Sequence, residues 1–333
     1  MRVGLIYDTF EHYPWQDGDP PDADAEYEPE TTIATLEEVV RHMGHTPVRI
    51  GPARVLHARL CEGLTLDAAI NISESVGSRN REAHAPVLLE MAGIPCLGSD
   101  ALTLSLSLDK AWTKELAQAA GVRTPAHQVY ESAQHVGEVP GSFPLFVKPR
   151  YEGTSKGIMP QSKVETRDAL RAEVERITTT YAQDALVEEF VEGGGEFTVG
   201  IIGNDPPEVL PALQRAVEPD SGIGVHALEH RGAPTAGRDW DYALPGDLTD
   251  ALEDELQEQA LAIYQKLECK DFARADFRVD ADGRPWFLEI NPLPTFAPND
   301  TFAIAAEVMG RAYVDFLAEV FAQGFARLGL SEG

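Results

Sequence analysis

Polar and apolar residues alternate most sharply between Phe272 and Asn291. Two period-two runs flank Asp280-Ala281-Asp282-Gly283, a pattern that predicts a β-hairpin. In the first run Arg274, Asp276 and Arg278 share one face, and Ala273, Ala275, Phe277 and Val279 share the other. In the second run Trp286, Leu288 and Ile290 lie opposite Phe287, Glu289 and Asn291. With all four turn residues in the loop, Val279 pairs with Arg284. Arg274 then faces Glu289, with Asp276 diagonal to it on the same face. Diagonal neighbours lie about 7–8 Å apart. Asp276, Glu289 and Asn291 are hard oxygen ligands, the kind Mg²⁺ takes together with water and substrate phosphates. The same face also fits a solvated surface carrying one Arg–Glu pair.

Elsewhere the pattern alternates strand and helix. Val3–Tyr7, Pro47–Ile50 and Ala68–Ile72 read as strands. The stretch 14–29 reads as a Pro/Asp/Gly-rich loop. Thr31 or Thr32 can cap a helix with Ile33, Leu36, Val40 and Met43 at helical spacing, stopped by Gly44. Arg81–Met91 is a second helix. Such βαβ order predicts a parallel, doubly wound α/β sheet. No Gly-x-Gly-x-x-Gly follows the first strand, which argues against a dinucleotide site.

Asp109 can cap a helix containing Lys110, Trp112, Lys114 and Leu116. Phe143–Val147 is an apolar strand that ends in Lys148. The next residues, Glu152-Gly153-Thr154-Ser155-Lys156-Gly157, form a loop that can present N–H groups and hydroxyls to phosphate. Its spacing is not that of a P-loop. A helix capped by Thr166 carries Leu170, Val174, Ile177 and Tyr181 on one stripe. Ala185–Val191 is a strand leading to Gly193-Gly194-Gly195, which reads as a hinge beside a nucleotide base. Residues 221–246, with His226, Glu229, His230, Arg231 and Arg238, read as a closing flap. Helices over 248–267 and 302–328 are expected to pack on the C-terminal sheet.

Composition narrows the function. The chain has 333 residues and a net charge of −28, from 55 acidic and 27 basic side chains. A surface so acidic argues against nucleic acid as a partner. Any polyanionic substrate must be held by locally placed lysine, arginine and metal. The acidity reflects either a salt-rich host or solubility. If the host is salt-rich, stability should rise in a KCl titration, and a flat response contradicts that origin. No run approaches the roughly 18 apolar residues of a membrane span. The N-terminus is too soon polar for a signal peptide. Three cysteines without metal or redox spacing suggest reduced thiols and a cytoplasmic protein.

Several short motifs occur together in order. They are Asn71-Ile72-Ser73-Glu74, Gly93-Ile94-Pro95-Cys96-Leu97-Gly98-Ser99, Leu108-Asp109-Lys110, Phe146-Val147-Lys148-Pro149 and Glu152-Gly153-Thr154-Ser155. They continue with Glu188-Glu189-Phe190-Val191, Gly195-Glu196-Phe197-Thr198-Val199, Arg274-Ala275-Asp276-Phe277-Arg278 and Leu288-Glu289-Ile290-Asn291. In this order the chain resembles the ATP-grasp carboxylate–amine ligases, and within them the D-alanine–D-alanine ligases. The resemblance implies a pre-ATP-grasp α/β domain over 1–102, a central lobe over 103–192 and a C-terminal lobe over 193–333, with ATP between the lobes. It implies that Lys110 and Lys148 hold the phosphates, with Thr154 and Ser155 closing over them. Glu188 and Val191 would meet the adenine through side chain and backbone, and Glu196 the ribose hydroxyls, with Glu189 also counted in the ATP site. Asp276, Glu289 and Asn291 would bind two Mg²⁺, with Mn²⁺ as a substitute. Arg274 would steady the acyl phosphate, with Thr154 beside it. The family also implies a homodimer.

The second-substrate region departs from the family. Thr295 stands where glycine is expected, and Asp300 where a carboxylate-binding serine is expected. An acid there suits a cationic or polyhydroxyl group. Glu26, Glu28 or Glu30 could take the first amine, and Glu74 is a further substrate candidate. The implied activity is ATP-dependent joining of an amino-acid carboxylate to an amine. Alternatives are joining of other amino acids in natural-product synthesis, a non-catalytic nucleotide-binding protein, or a dinucleotide oxidoreductase.

Overall fold

The computed structural model describes residues 1–218, 221–224 and 246–330. Among these, the strands form three sheets. β1 (Arg2–Tyr7), β2 (Thr46–Gly51), β3 (Ala68–Ile72) and β4 (Cys96–Leu97) form a parallel sheet in the order β2-β1-β3-β4. Parallel neighbours need crossovers, supplied by α1 (Glu30–His42), α2 (Ala53–Cys61) and α3 (His84–Met91). Val3, Leu5 and Ile70 pack with Ile33, Leu36 and Val40 of α1. Ile6 and Ala69 pack with Leu56 and Leu89 on the opposite side. Both faces are thus covered, and β3 is buried along its whole length.

Neither Thr31 nor Thr32 caps α1. Pro29 is the N-cap and the helix begins at Glu30. A bridge between Thr9 and Glu28 keeps the chain extended up to that proline. Thr32 is buried instead, and its hydroxyl donates to Glu28 Oε2 at 2.7 Å.

α4 (Ala101–Leu108) leads into α5 (Lys110–Ala119). Asp109 caps α5 by accepting from the Ala111 and Trp112 amides. The second sheet is antiparallel. It comprises β5 (His127–Tyr130), β6 (Leu145–Pro149), β7 (Lys163–Val164) and β8 (Ala185–Glu189), in the order β5-β8-β6-β7. α6 (Arg167–Thr180), capped by Thr166, lays Leu170, Val174 and Ile177 over it.

The third sheet contains β9 (Gly193–Ile202), β10 (Glu208–Val209), β11 (Leu213–Arg215), β12 (Phe272–Asp280) and β13 (Pro285–Asn291). The glycines read as a hinge belong to β9, where Gly193 pairs with Asp280. A Cβ on Gly194 would lie 2.7 Å from the Asp280 carbonyl, so glycine permits the close approach of the hairpin end. α7 (Asp250–Lys266) covers the inner face with Leu256, Ala260 and Ile263. Ala117 of α5 joins the same cluster.

The terminal helix read over 302–328 is two helices, α8 (Thr301–Val308) and α9 (Tyr313–Arg327). Gly310, at φ +69°, turns the chain between them. Phe316, Phe321 and Phe325 of α9 share a core with Ile33 and Leu36 of α1 as well as with Phe272 of β12. The helix therefore joins the N-terminal sheet to the C-terminal one. No helix among the described residues is long and apolar enough to cross a membrane.

The hairpin has a different register from the simple four-residue turn. Val279 pairs with Pro285, and a bulge follows between Asp276 and Phe277. Beyond it Asp276 faces Glu289 directly and Arg274 faces Asn291. Phe287 and Ile290 both enter the core, so the expected Trp286–Leu288–Ile290 face is split at Leu288. A bulge re-aims side chains in this way. Here it brings the two carboxylates opposite one another.

Candidate active site

The outer faces of the second and third sheets meet across a cavity whose far end reaches the N-terminal region. Lys148, in β6, and Glu188, in β8, are on one wall, while Asp276 and Glu289 are on the other. Of the residues singled out in the sequence, Lys110, Thr154, Ser155, Glu189, Val191, Glu196, Arg274, Asn291, Glu28, Glu74 and Thr295 also line it. Asp300 does not. It is 1% exposed, caps α8 at the Thr301 amide (2.6 Å), and lies 3.7 Å from Arg274 Nη1. It braces that arginine rather than facing the cavity. The region read as a flap, with its histidines and arginines, lies largely outside the described residues.

Glu188 is buried between two lysines. Its carboxylate lies 2.7 Å from Lys148 Nζ and 2.8 Å from Lys114 Nζ. Burial alone would raise the Glu188 pKa, but the two ammonium groups outweigh it and hold the carboxyl at about 2. The Lys114 side chain has no exposed surface and also donates to Thr124 Oγ1 at 2.9 Å. Burial pushes its pKa down to about 8, against the pull of Glu188. A lysine on an amphipathic helix gives no sign in the sequence that it is buried, so Lys114 was not legible as part of the site.

On the hairpin wall, Arg274 Nη2 lies 3.1 Å from Asp276 Oδ2, and Arg215 Nη2 lies 3.5 Å from Asp276 Oδ1. Lys110 Nζ is 3.3 Å from Glu289 Oε2. Burial opposes ionisation of Glu289, but Lys110, Lys148 and Arg274 together hold it at about 2. Lys110 is fixed by its surroundings. Asp109, just before it, accepts two hydrogen bonds from Arg150, at 2.8 and 2.7 Å. This ties the start of α5 to the end of β6.

The end of the cavity at Phe190 is apolar, with a charged side chain over it. Phe190 stacks on Phe146, with ring centroids 5.7 Å apart, and Arg278 lies over Phe190 at 4.3 Å. Arg278 donates from Nε to the Val191 carbonyl at 2.7 Å and sits 3.5 Å from Glu196. Glu189 turns away to accept from the Ser142 amide at 2.9 Å. Arg278, Arg215 and Phe190 extend the set read from the sequence. Alternation alone put Arg278 on the correct face.

The loop after β6 holds Thr154 and Ser155 at φ +47° and +54°, both left-handed. The Gly153 amide donates to Glu26 at 2.5 Å and the Gly157 amide to Asp22 at 2.8 Å. The stretch 14–29 is thus fastened to this loop. Glu26 is also ion-paired with Arg81 and with Lys156.

The buried carboxyls fall into two sets with opposite pH dependence. Burial favours protonated Glu26, Glu188 and Glu289, but neighbouring cations win and hold all three at about 2. Their stabilisation is complete above the ordinary value of 4.5 and is lost as pH falls toward 2. Glu82 is raised to about 7, chiefly by burial. Its contribution is complete below 4.5 and is lost as pH rises through 7. The unfolding free energy of the ligand-free protein should therefore peak near about pH 5. Urea titrations at pH 3, 5 and 7.5 test this, and a monotonic trend contradicts it.

The donor set suits a divalent cation with phosphate. Asp276 Oδ1 is buried without a hydrogen-bond partner, although the carboxylate is flanked by two guanidinium groups. A cation would satisfy that oxygen, and triphosphate oxygens would satisfy Lys110, Lys148 and Arg215. Among the described residues no three His, Cys, Asp or Glu side chains enclose a metal by themselves. Such a site would be completed by substrate oxygens, as Mg²⁺ sites commonly are.

A family model described as D-ala D-ala ligase C-terminus matches residues 116–322. The D-alanine–D-alanine ligase of Cupriavidus metallidurans is 34% identical over 238 residues, 71% of this chain and 69% of its own. An uncharacterized protein, y4sG, of Sinorhizobium fredii is 32% identical over 251 residues, 75% of this chain and 72% of its own. The crystal structure of the D-alanine–D-alanine ligase of Bacillus anthracis complexed with ATP superposes with a TM-score of 0.69. It is 20% identical and covers 98% of both chains. The fold is therefore the ATP-grasp fold. Sequence, fold and site converge: the chain belongs to the D-alanine–D-alanine ligase family of ATP-dependent carboxylate–amine ligases.

Proposed function

We propose that the protein activates an amino-acid carboxylate as an acyl phosphate and passes it to an amine, using ATP and two Mg²⁺ ions. The observation that carries this reading is the joint placement of Lys110, Lys148, Arg274, Asp276, Glu289 and Asn291 around one cavity. A carboxylate attacking the γ-phosphorus brings two anions together, and cations must offset their repulsion. Bound Mg²⁺, held by Asp276, Glu289 and Asn291, would neutralise phosphate charge. Lys110 and Lys148 hold phosphate oxygens, with Thr154 and Ser155 above them. Arg274 faces the negative charge that grows on the carbonyl oxygen. Phe146, Phe190 and Val191 border the base, with Glu188 beneath and Glu196 toward the ribose. The γ-phosphoryl group goes to the carboxylate, the amine displaces phosphate, and the products are amide, ADP and phosphate. Water must stay out, since it would hydrolyse the acyl phosphate.

The test is ADP release across single amino acids and pairs with Mg²⁺. Turnover with D-alanine alone supports a D-alanine–D-alanine ligase. Turnover only with another pair supports a ligase for other amino acids, which Thr295 in place of the usual glycine favours. Glu28, which lines the cavity, is the candidate partner of the first amine. Lys148→Ala should raise the ATP dissociation constant by about tenfold, the loss of one charge-assisted contact. Calorimetry measures it, and an unchanged constant removes the phosphate assignment. We place the enzyme in the cytoplasm, on its three free cysteines. We also read it as a homodimer, supported by exposed Val87 and Met91 on α3. Light scattering checks that state.

A further inference from the structure

The end of the cavity away from the base holds more buried negative charge than its cations offset. Glu26, Glu74, Glu82 and Glu152 line it, and Arg81 and Lys156 are the basic side chains set among them. The Arg81 guanidinium pairs with Glu26 and reaches Glu152 at 3.7 Å and Glu74 at 3.9 Å. Its other nitrogen donates to the Tyr151 carbonyl at 2.7 Å. Lys156 is divided between Glu152 at 2.9 Å and Glu26 at 3.5 Å. Both cations are thus committed. Lys110, the next nearest, is engaged by Glu289 at 3.3 Å and by the Glu152 carbonyl.

Glu82 is left over. It is 8% exposed, lines the cavity, and its carboxylate makes no hydrogen bond or ion pair among the described residues. Glu74 Oε2 is likewise buried without a hydrogen-bond partner. Burying an unpaired carboxylate is costly, so such a group either stays protonated or meets a cation. An ammonium or guanidinium group needs no cage of ligands and can be shared by two neighbouring carboxylates; among the described residues no three carboxylates here enclose a metal ion by themselves.

We propose that Glu82 and Glu74 receive a side-chain ammonium or guanidinium group of the substrate, in addition to its α-amino group, so that the enzyme acts on a diamino or guanidino acid. This rests on the ligase reading of the same cavity. The proton affinities agree with it. Burial first, then repulsion by Glu26 and Glu152, raises Glu82 to about 7 despite Arg81 and Lys110. Burial and Glu82 raise Glu74. An arriving cation would ionise both groups and release protons.

The experiment is ADP release with saturating Mg-ATP and alanine, ornithine, lysine or arginine of either hand, singly and in pairs, with ATP affinity measured alongside. The best dicationic amino acid should exceed the best neutral one in kcat/KM by at least about tenfold, one charge-assisted contact. Glu82→Gln should shrink that ratio by a similar factor, mainly through KM. If Glu82→Gln does not fold, Glu74→Gln provides the same readout. Equal turnover of neutral amino acids, or a ratio untouched by either variant, overturns the proposal. So does the absence of turnover with all of them while ATP still binds. Loss of ATP binding would instead sink the ligase reading. Thermal protection by Mg²⁺ or Mn²⁺ alone that vanishes in Glu82→Gln would assign the site to a metal and also overturn it.

Discussion

Glu188→Gln should cost about 3–5 kcal/mol of unfolding free energy at pH 7, the usual loss when one partner of a buried ion pair is removed. In the native protein one carboxylate neutralises Lys148 and Lys114, at 2.7 and 2.8 Å, and neither lysine has more than 6% of its side chain exposed. The variant leaves two buried ammonium groups facing each other across a neutral amide. They can shed the penalty only by losing protons. Lys114 is already held down at about 8, mainly by burial, with Glu188 pulling the other way. Without Glu188 the Lys114 value falls further below the unfolded value of about 10.4, and Lys148, which Glu188 and then Glu289 hold raised against burial, loses the first of those supports. The folded state then binds fewer protons than the unfolded chain, so stability must rise with pH up to that value. Urea unfolding at pH 7 and 9.5 should show a large loss at the first and a partial recovery at the second. A loss under about 1 kcal/mol, or no recovery, would mean that the lysines are not buried as a coupled set.

Arg274→Ala should lower kcat by about 10²–10³ while leaving the ATP dissociation constant within a few-fold, the pattern of a group that acts on transition-state charge. Arg274 is held between Asp276, at 3.1 Å, and Asp300, at 3.7 Å. Burial would lower its pKa, but these carboxylates raise it, so the guanidinium stays charged. Steady-state kinetics with the active amino-acid pair, alongside ATP titration, measures the split. Arg274→Lys should recover only part of the rate, because an ammonium group lacks the planar fork. Equal losses in kcat and ATP affinity would move Arg274 from the reacting atoms to the nucleotide.

Much of this arrangement was legible in the sequence, for identifiable reasons. The hairpin announced itself because period-two alternation survives folding, and it put Arg274, Asp276, Arg278 and Glu289 on the cavity side. Lys148 was legible because it ends an apolar strand and precedes a Gly/Ser/Thr loop. The register was not, because a bulge at Leu288 leaves no mark in an alternating pattern. Arg81 and Lys114 were missed because burial of a cation depends on carboxylates distant in the chain, such as Glu26 and Glu188. The partner of α9 was hidden for a similar reason. An amphipathic helix shows which face is buried but not what covers it, and here α1 does. Asp300 read as a substrate contact from its place in the motif order, yet it is the N-cap of α8.

The reaction route can be followed by the fate of one oxygen atom. The amino-acid substrate that turns over is prepared with ¹⁸O in its carboxylate and incubated with Mg-ATP and its amine partner, and the released phosphate is weighed by mass spectrometry. Attack of the carboxylate on the γ-phosphorus followed by amide formation predicts one ¹⁸O in that phosphate, with ADP formed in equal amount. Unlabelled phosphate, or release of AMP and pyrophosphate, would contradict the account.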